Sequence, residues 1–185
     1  MSQVKLILIA APSGAGKNSL MVRALKDFPT LLDVVTYTTR ERREGEVHGQ
    51  DYHFIQKSEF EKMIEEDLFA EWSPVHDSLY GTSHQSLKQA WAENRVAIMD
   101  IDVQGVEKFT KIYPDAISIF ILPPSIEALK QRILSRDKKP PANLELRLQN
   151  AEKEIKLAHR FDYQVVNDDL DKSYLRFKKI LEELL

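Results

Sequence analysis

The chain contains no cysteine, which excludes disulfides, zinc–thiolate centres and a cysteine nucleophile and fits a reducing compartment. Long hydrophobic runs are also missing. The apolar stretch at residues 4–9 is too short to cross a bilayer, and Lys5 interrupts it. A signal peptide cut near Ala10-Ala11 is the competing reading of that stretch, but a buried strand feeding the next loop explains it more simply. No single sign of charge dominates. With 26 Lys+Arg against 29 Asp+Glu the formal net charge is −3, so no nucleic-acid partner and no membrane partner are expected. Repeats, low-complexity tracts and Gly/Ser/Pro linkers are absent from the 185 residues, as expected of one domain with its own core. The 43% hydrophobic and 30% charged fractions are those of an ordinary globular protein, and a cytoplasmic location is the expectation.

What is present is concentrated first in residues 7–20, I-L-I-A-A-P-S-G-A-G-K-N-S-L. A β-branched apolar run leads into Ala11, Pro12, Ser13, Gly14, Ala15, Gly16 and Lys17, and then Asn18 and Ser19 open a run of helix formers. Strand, glycine-bearing loop and helix start in that order make a phosphate cradle. Glycines let successive backbone N–H groups converge on one anion, and the helix N-terminus adds partial positive charge. The strict pattern G-x-x-x-x-G-K-[ST] is missed at both ends, by Ala11 and by Asn18. A tight strand–helix turn ending in a surface lysine is the alternative.

Further along, residues 31–36 read as a short strand, and residues 38–49 are dense in charge. Arg40, Arg42 and Arg43 there are either a solvated loop or an anion site of arginine forks. Residues 51–55 read as a strand, and Ser58-Glu59-Phe60-Glu61 as a capping box opening a helix to about residue 66. Strands at 68–75 and 79–82 and a helix from Ser83 or His84 follow, so this section is the β-rich candidate for an inserted subdomain. Residues 96–102 form an apolar strand ending in Asp100 and Asp102, which either serve a ligand at the strand's carboxyl end or cap a turn. A helix at 103–113 and a strand at 116–122 lead to a helix bearing Arg132 and Arg136 one turn apart. Asp137-Lys138-Lys139-Pro140-Pro141 breaks that helix, and a second runs over 144–160 with Arg147 near its start. Such a helical flap is a lid or carries ordinary solvated charge. A strand at 163–166, a turn at 167–171 and a helix over 173–185 close the chain.

Seven segments in order carry a likeness: A-P-S-G-A-G-K (11–17), T-T-R-x-x-R-x-G-E-x-x-G-x-x-Y-x-F (38–54), E-W (71–72), Y-G-T (80–82), D-I-D-x-Q-G (100–105), I-F-I-L-P-P-S (119–125) and V-x-N-D-D-L-D (165–171). With these the chain resembles guanylate kinase, the ATP-dependent GMP phosphotransferase, nearly end to end. The resemblance implies an α/β fold: a P-loop three-layer core with a parallel sheet (1–35, 83–125 and 161–185), an inserted β-rich GMP-binding subdomain (36–82) and a helical lid (126–160). It implies ATP contacts from Ala11 through Ser19 and from Asn167, near the adenine. The GMP phosphate falls to Thr36, Arg40, Arg43, Tyr52 and Tyr80, and guanine to Glu71 and Thr82 with Asp100 nearby. Lys17, Arg40, Arg43, Arg132, Arg136 and Arg147 would neutralise charge during transfer, with Mg²⁺ as cofactor at Asn18 and, directly or through water, Asp100. The substrates implied are ATP and GMP or dGMP.

Three departures stand out. Asn18 replaces the usual hydroxyl ligand of Mg²⁺ with a carbonyl oxygen on a longer arm, so weakened metal handling is expected. The connector carries prolines where the family has glycine and acids, and Thr36 replaces a common serine. The five histidines (48, 53, 76, 84 and 159) form no nucleophile–base constellation, and phosphoryl transfer to a phosphate needs none. A non-catalytic binding module of the same fold is the rival reading, against which Lys17 and the three arginines speak.

Overall fold

Leu6, Leu8 and Ala10 point to one side of strand β1 (Leu6–Ala10) while Ile7 and Ile9 point to the other, and all five are buried. A strand buried on both faces belongs at the centre of a covered sheet. The computed structural model, which describes residues 5–75, 77–136 and 143–185, puts it there. β2 (Leu31–Asp33), β7 (Val96–Asp100), β1, β8 (Ile117–Leu122) and β9 (Tyr163–Val166) form a five-stranded sheet in that order, every pair parallel. Helices α1 (Lys17–Asp27) and α7 (Leu170–Leu184) cover the Ile7/Ile9 face, with Leu20, Phe177 and Leu181 fully buried. Helices α3 (His84–Ala92) and α4 (Val103–Ile112) cover the other, through Leu87 and Phe109. Because the strands are parallel, the loop after β1, the end of β2 and Asp100 of β7 share one edge.

A second sheet of four strands is built from β3 (Tyr37–Thr38), β4 (His53–Phe54), β5 (Phe69–Val75) and β6 (Ser78–Ser83), in the order β4-β3-β6-β5. Helix α2 (Lys57–Glu65) packs on it through Phe60, whose ring stacks on Phe69 at 4.4 Å. Gly81 is required beneath that pair, since a Cβ there would stand 2.8 Å from the Phe69 ring. Two further helices, α5 (Ile126–Arg136) and α6 (Leu144–Lys156), pack against each other and, through Leu129, Ile133 and Ala151, against Ala15 of the loop.

The α/β class expected from the sequence holds, and several boundaries move. The run at 31–36 ends at Asp33 in the first sheet, and the next strand, β3, belongs to the second. Helix α2 starts at Lys57 behind Gln56 with no side-chain cap, so the capping box at Ser58 is not formed; Ser58 already sits in the first turn. Strand β7 ends at Asp100 because Asp102 caps α4, accepting from Gly105 N at 2.7 Å. Helix α7 begins three residues early, at Leu170, because Asp169 accepts from Lys172 N. The helix expected to run to 160 stops at Lys156 and gives way to a 3-10 turn, Ala158–Arg160. The connector with Pro140-Pro141 and the side chain of Arg136 lie outside the described residues.

Phe177 is the largest fully buried side chain of α7, packed against the sheet. Phe177→Ala should cost about 3–5 kcal/mol in urea unfolding. A loss under ~1 kcal/mol would mean that α7 does not close that face.

Candidate active site

The loop after β1 turns on two glycines in left-handed conformation, Gly14 (φ 95°) and Gly16 (φ 88°), which L side chains rarely adopt. Space is equally restrictive, for a Cβ on Gly14 would press on Ile133 at 2.9 Å and one on Gly16 would run into Asn167 Nδ2. Gly16 is also the N-cap of α1, which has neither a side-chain cap nor an acid in its first turn. In contrast, α3, α4 and α7 are capped by Ser83, Asp102 and Asp169. The N–H groups that open α1 are thus left for an anion.

Asn167 fixes the loop from beneath, its Nδ2 donating to the Ala15 carbonyl at 2.7 Å in a buried contact. Arg132 donates to the carbonyls of Asn167 at 2.8 Å and of Ala15 and Asp168 at 3.3 Å. Arg147 donates to Ser13 Oγ at 3.3 Å. Two of the three arginines expected over the transferring phosphoryl group are therefore already at the loop.

A cleft of about 670 Å³ opens from this loop. Gly14, Gly16, Lys17, Asn18, Asp33, Asp100 and Arg132 form one side, and Thr36, Arg40, Arg43, Glu46, Tyr52 and Tyr80 the other. Ala11, Pro12 and Ser13 also line it, whereas Ala15 is buried and Ser19 is exposed outside it. Arg40 is positioned by Glu46 Oε1 at 2.7 Å and lies over the rings of Tyr52 and Phe54. The other oxygen of Glu46 accepts from Arg43 N at 2.8 Å. Burial alone would raise the Glu46 carboxyl, but these donors outweigh it and hold the group below its ordinary range. Burial pushes the Tyr52 phenol up, so that hydroxyl stays a donor at neutral pH. Glu46 was not singled out from the sequence, although it stands in the R-x-x-R-x-G-E run beside the turn at Gly45.

Glu71 and Thr82 lie apart from the cleft wall. They face each other across β5 and β6, and both are buried. Glu71 Oε1 accepts from Ser73 Oγ at 2.8 Å and from Lys108 Nζ at 2.9 Å. Neither partner carries a motif that the sequence reading could have used.

The family model for guanylate kinase matches residues 3–184. The chain belongs to the guanylate kinase family. It is 52% identical to guanylate kinase of Bdellovibrio bacteriovorus over 99% of both chains. It is 41% identical to guanylate kinase of Syntrophotalea carbinolica, over 95% of this chain and 84% of that one. A crystal structure of guanylate kinase from Anaplasma phagocytophilum matches with a TM-score of 0.78 at 28% identity, covering 99% of this chain and 87% of that one. Among the described residues no helix is long and apolar enough to cross a membrane.

Within this guanylate kinase fold Lys17 lies among acids. Its ammonium is ion-paired with Asp100. Burial works against its charge, while Glu154, Asp102 and Asp33 pull the other way. Burial in turn pushes Asp33 up to about 6 against the attraction of Lys17, and Glu154 up to about 7, with Asp102 adding to the rise and Lys17 opposing it. Asp33 and Glu154 escaped the sequence reading, because a carboxylate at a strand end or on a charged helix carries no signal of what the fold places beside it.

Asn18, Asp33 and Asp100 line the cleft and carry side-chain oxygens, and hard oxygen donors suit Mg²⁺. Among the described residues no three acidic, histidine or cysteine side chains form a metal cage. That donor set fits an ion that keeps most of its shell from water and substrate phosphate, as Mg²⁺ does.

Glu154 gives a pH test. The folded chain holds its proton up to about 7, whereas the unfolded chain releases it near ~4.3. Between those values the folded state binds more protons, so stability falls as pH rises, and the full cost is present above about 7. Glu154→Gln should match the wild type in urea unfolding at about pH 4 and exceed it at about pH 8. Equal stability at both would mean that Lys17 offsets the burial of Glu154 completely.

Proposed function

We propose that the chain transfers the γ-phosphate of ATP to GMP or dGMP, giving ADP and the nucleoside diphosphate. One observation supports the reading: the glycine loop with Lys17 and the group of Arg40, Arg43, Tyr52 and Tyr80 line a single cleft. On one side the uncapped start of α1, the glycine loop and Lys17 suit the phosphates of a triphosphate. On the other, Arg40 and Arg43 with the hydroxyls of Thr36, Tyr52 and Tyr80 suit a dianionic monophosphate.

In the transfer, an oxygen of the acceptor phosphate forms a bond to the γ-phosphorus as the bond to the β–γ bridging oxygen breaks, and ADP leaves with that electron pair. The acceptor oxygen is already anionic, so no base is needed. Catalysis then rests on alignment and on neutralising charge. Lys17 would hold the β- and γ-phosphates, and Arg40 and Arg43 would aim the acceptor. Arg132 and Arg147 would turn from their present oxygen partners to the transferring group, with Arg136 as the third arginine of the lid. Asn18 and Asp100 would hold Mg²⁺, which supplies neutralisation of the triphosphate. Asn167 would border the adenine, and Glu71 with Thr82 would read guanine, Glu71 accepting from N1–H and N2–H₂ and Thr82 donating to O6. A buried polar set of that kind rejects adenine strongly, because its groups would be left unpaired. Helices α5 and α6, closing on the loop, would exclude water as a competing acceptor. A reducing, cytoplasmic setting suits the cysteine-free chain.

Release of ADP from Mg·ATP is the test, with GMP compared against AMP, UMP and no acceptor. Turnover specific to GMP is expected, and its absence would sink the reading. Arg43→Ala should lower kcat/KM for GMP by about 10- to 100-fold, the worth of a charged hydrogen bond, while KM for ATP changes little. Asn18→Ser should reach half-maximal activity at lower Mg²⁺; identical titrations would show that the asparagine costs the metal site nothing.

A further inference from the structure

Glu71 is buried, with 8% of its surface exposed, and sits on β5 directly opposite Thr82. Its two oxygens are not equivalent. Oε1 takes both donors that reach the group, Ser73 Oγ at 2.8 Å and Lys108 Nζ at 2.9 Å. A carboxylate offers about two acceptor positions per oxygen, so Oε1 is filled and Oε2 keeps both of its own. The ammonium of Lys108 is itself held twice, since it also donates to the Trp72 carbonyl at 2.9 Å, one peptide along the same strand. That second bond fixes the lysine although almost half of its side chain is exposed. Lys108 comes from α4, which covers one face of the five-stranded sheet, so the contact also ties the second sheet to the core.

We propose that Lys108 is a positioning residue for base specificity: by occupying Oε1 of Glu71 it orients the carboxylate so that Oε2 is presented to the N1–H and N2–H₂ edge of guanine. This rests on the reading of Glu71 as the guanine acceptor. A buried carboxylate left without a cation loses both its orientation and the compensation for its charge. Ser73 alone, with one hydroxyl, does not replace a charged donor tied down at a second point. The consequence is specific to the base edge. Guanine presents both N1–H and a 2-amino group, and hypoxanthine only N1–H, so a misaligned Glu71 harms binding of GMP more than binding of IMP. A general loosening of the fold would affect the two alike.

The test compares the full-length wild type, Lys108→Met and Lys108→Arg with Mg·ATP and with GMP or IMP as acceptor, alongside melting temperatures. Lys108→Met is expected to raise KM for GMP about 10-fold or more, the scale of a lost charged hydrogen bond. It should leave kcat at saturating GMP and KM for ATP within about two-fold, inside the scatter of such effects. The preference for GMP over IMP should fall, and Lys108→Arg should restore most of it. Unchanged KM and preference in Lys108→Met, or equal losses with both acceptors, overturn the proposal while leaving the kinase reading intact. A wild type that fails to prefer GMP over IMP and AMP overturns the reading of Glu71 itself, and the proposal with it. Where Lys108→Met does not fold, Lys108→Gln, which keeps a donor without the charge, is judged by the same acceptor ratio.

Discussion

The buried hydrogen bond from Asn167 to the Ala15 carbonyl ties the end of β9 to the loop that follows β1, two strands away in the sheet. A loop whose N–H groups converge on an anion needs its carbonyls turned outward and satisfied. Asn167 and Arg132 do this for Ala15, and Gly16 can lie against Asn167 only because it has no Cβ. Helices α5 and α6 add an apolar clamp through Leu129, Ile133 and Ala151. The phosphate loop is therefore shaped by residues more than 110 positions further along the chain, which couples the site to completion of the sheet.

At the loop, electrostatics centre on Lys17, a largely buried cation set among acids. Lys17 pairs with Asp100 and feels Glu154, Asp102 and Asp33, so its charge is met by acids of the protein itself. Glu154 and Asp33 in turn are groups whose ionisation is resisted by burial, a local cost of gathering acids around the lysine.

Much of this was legible in the sequence, for identifiable reasons. The glycine loop announces itself because backbone conformation demands particular residues there, and β1 because burial on both faces demands an unbroken apolar run. Arg40, Arg43, Tyr52 and Tyr80 were found as parts of ordered motifs, and the cleft brings them together. What stayed hidden depends on distant partners. Lys108 is an ordinary helix lysine until the fold sets it 2.9 Å from Glu71, and Asp33 an ordinary strand end until Lys17 is beside it. The start of α2 and the end of α6 moved because neighbouring residues serve about equally well as boundaries.

The bare start of α1 has a consequence for the life of the protein as well as its chemistry. Without a side-chain cap or an acid, its first turn is incomplete until an anion supplies what Ser83, Asp102 and Asp169 supply elsewhere in the same chain. The triphosphate is then a missing piece of secondary structure, and binding adds to the free energy of folding by mass action. Nucleotide abundance would set how often this edge frays, and with it the rate at which a protease finds the chain open.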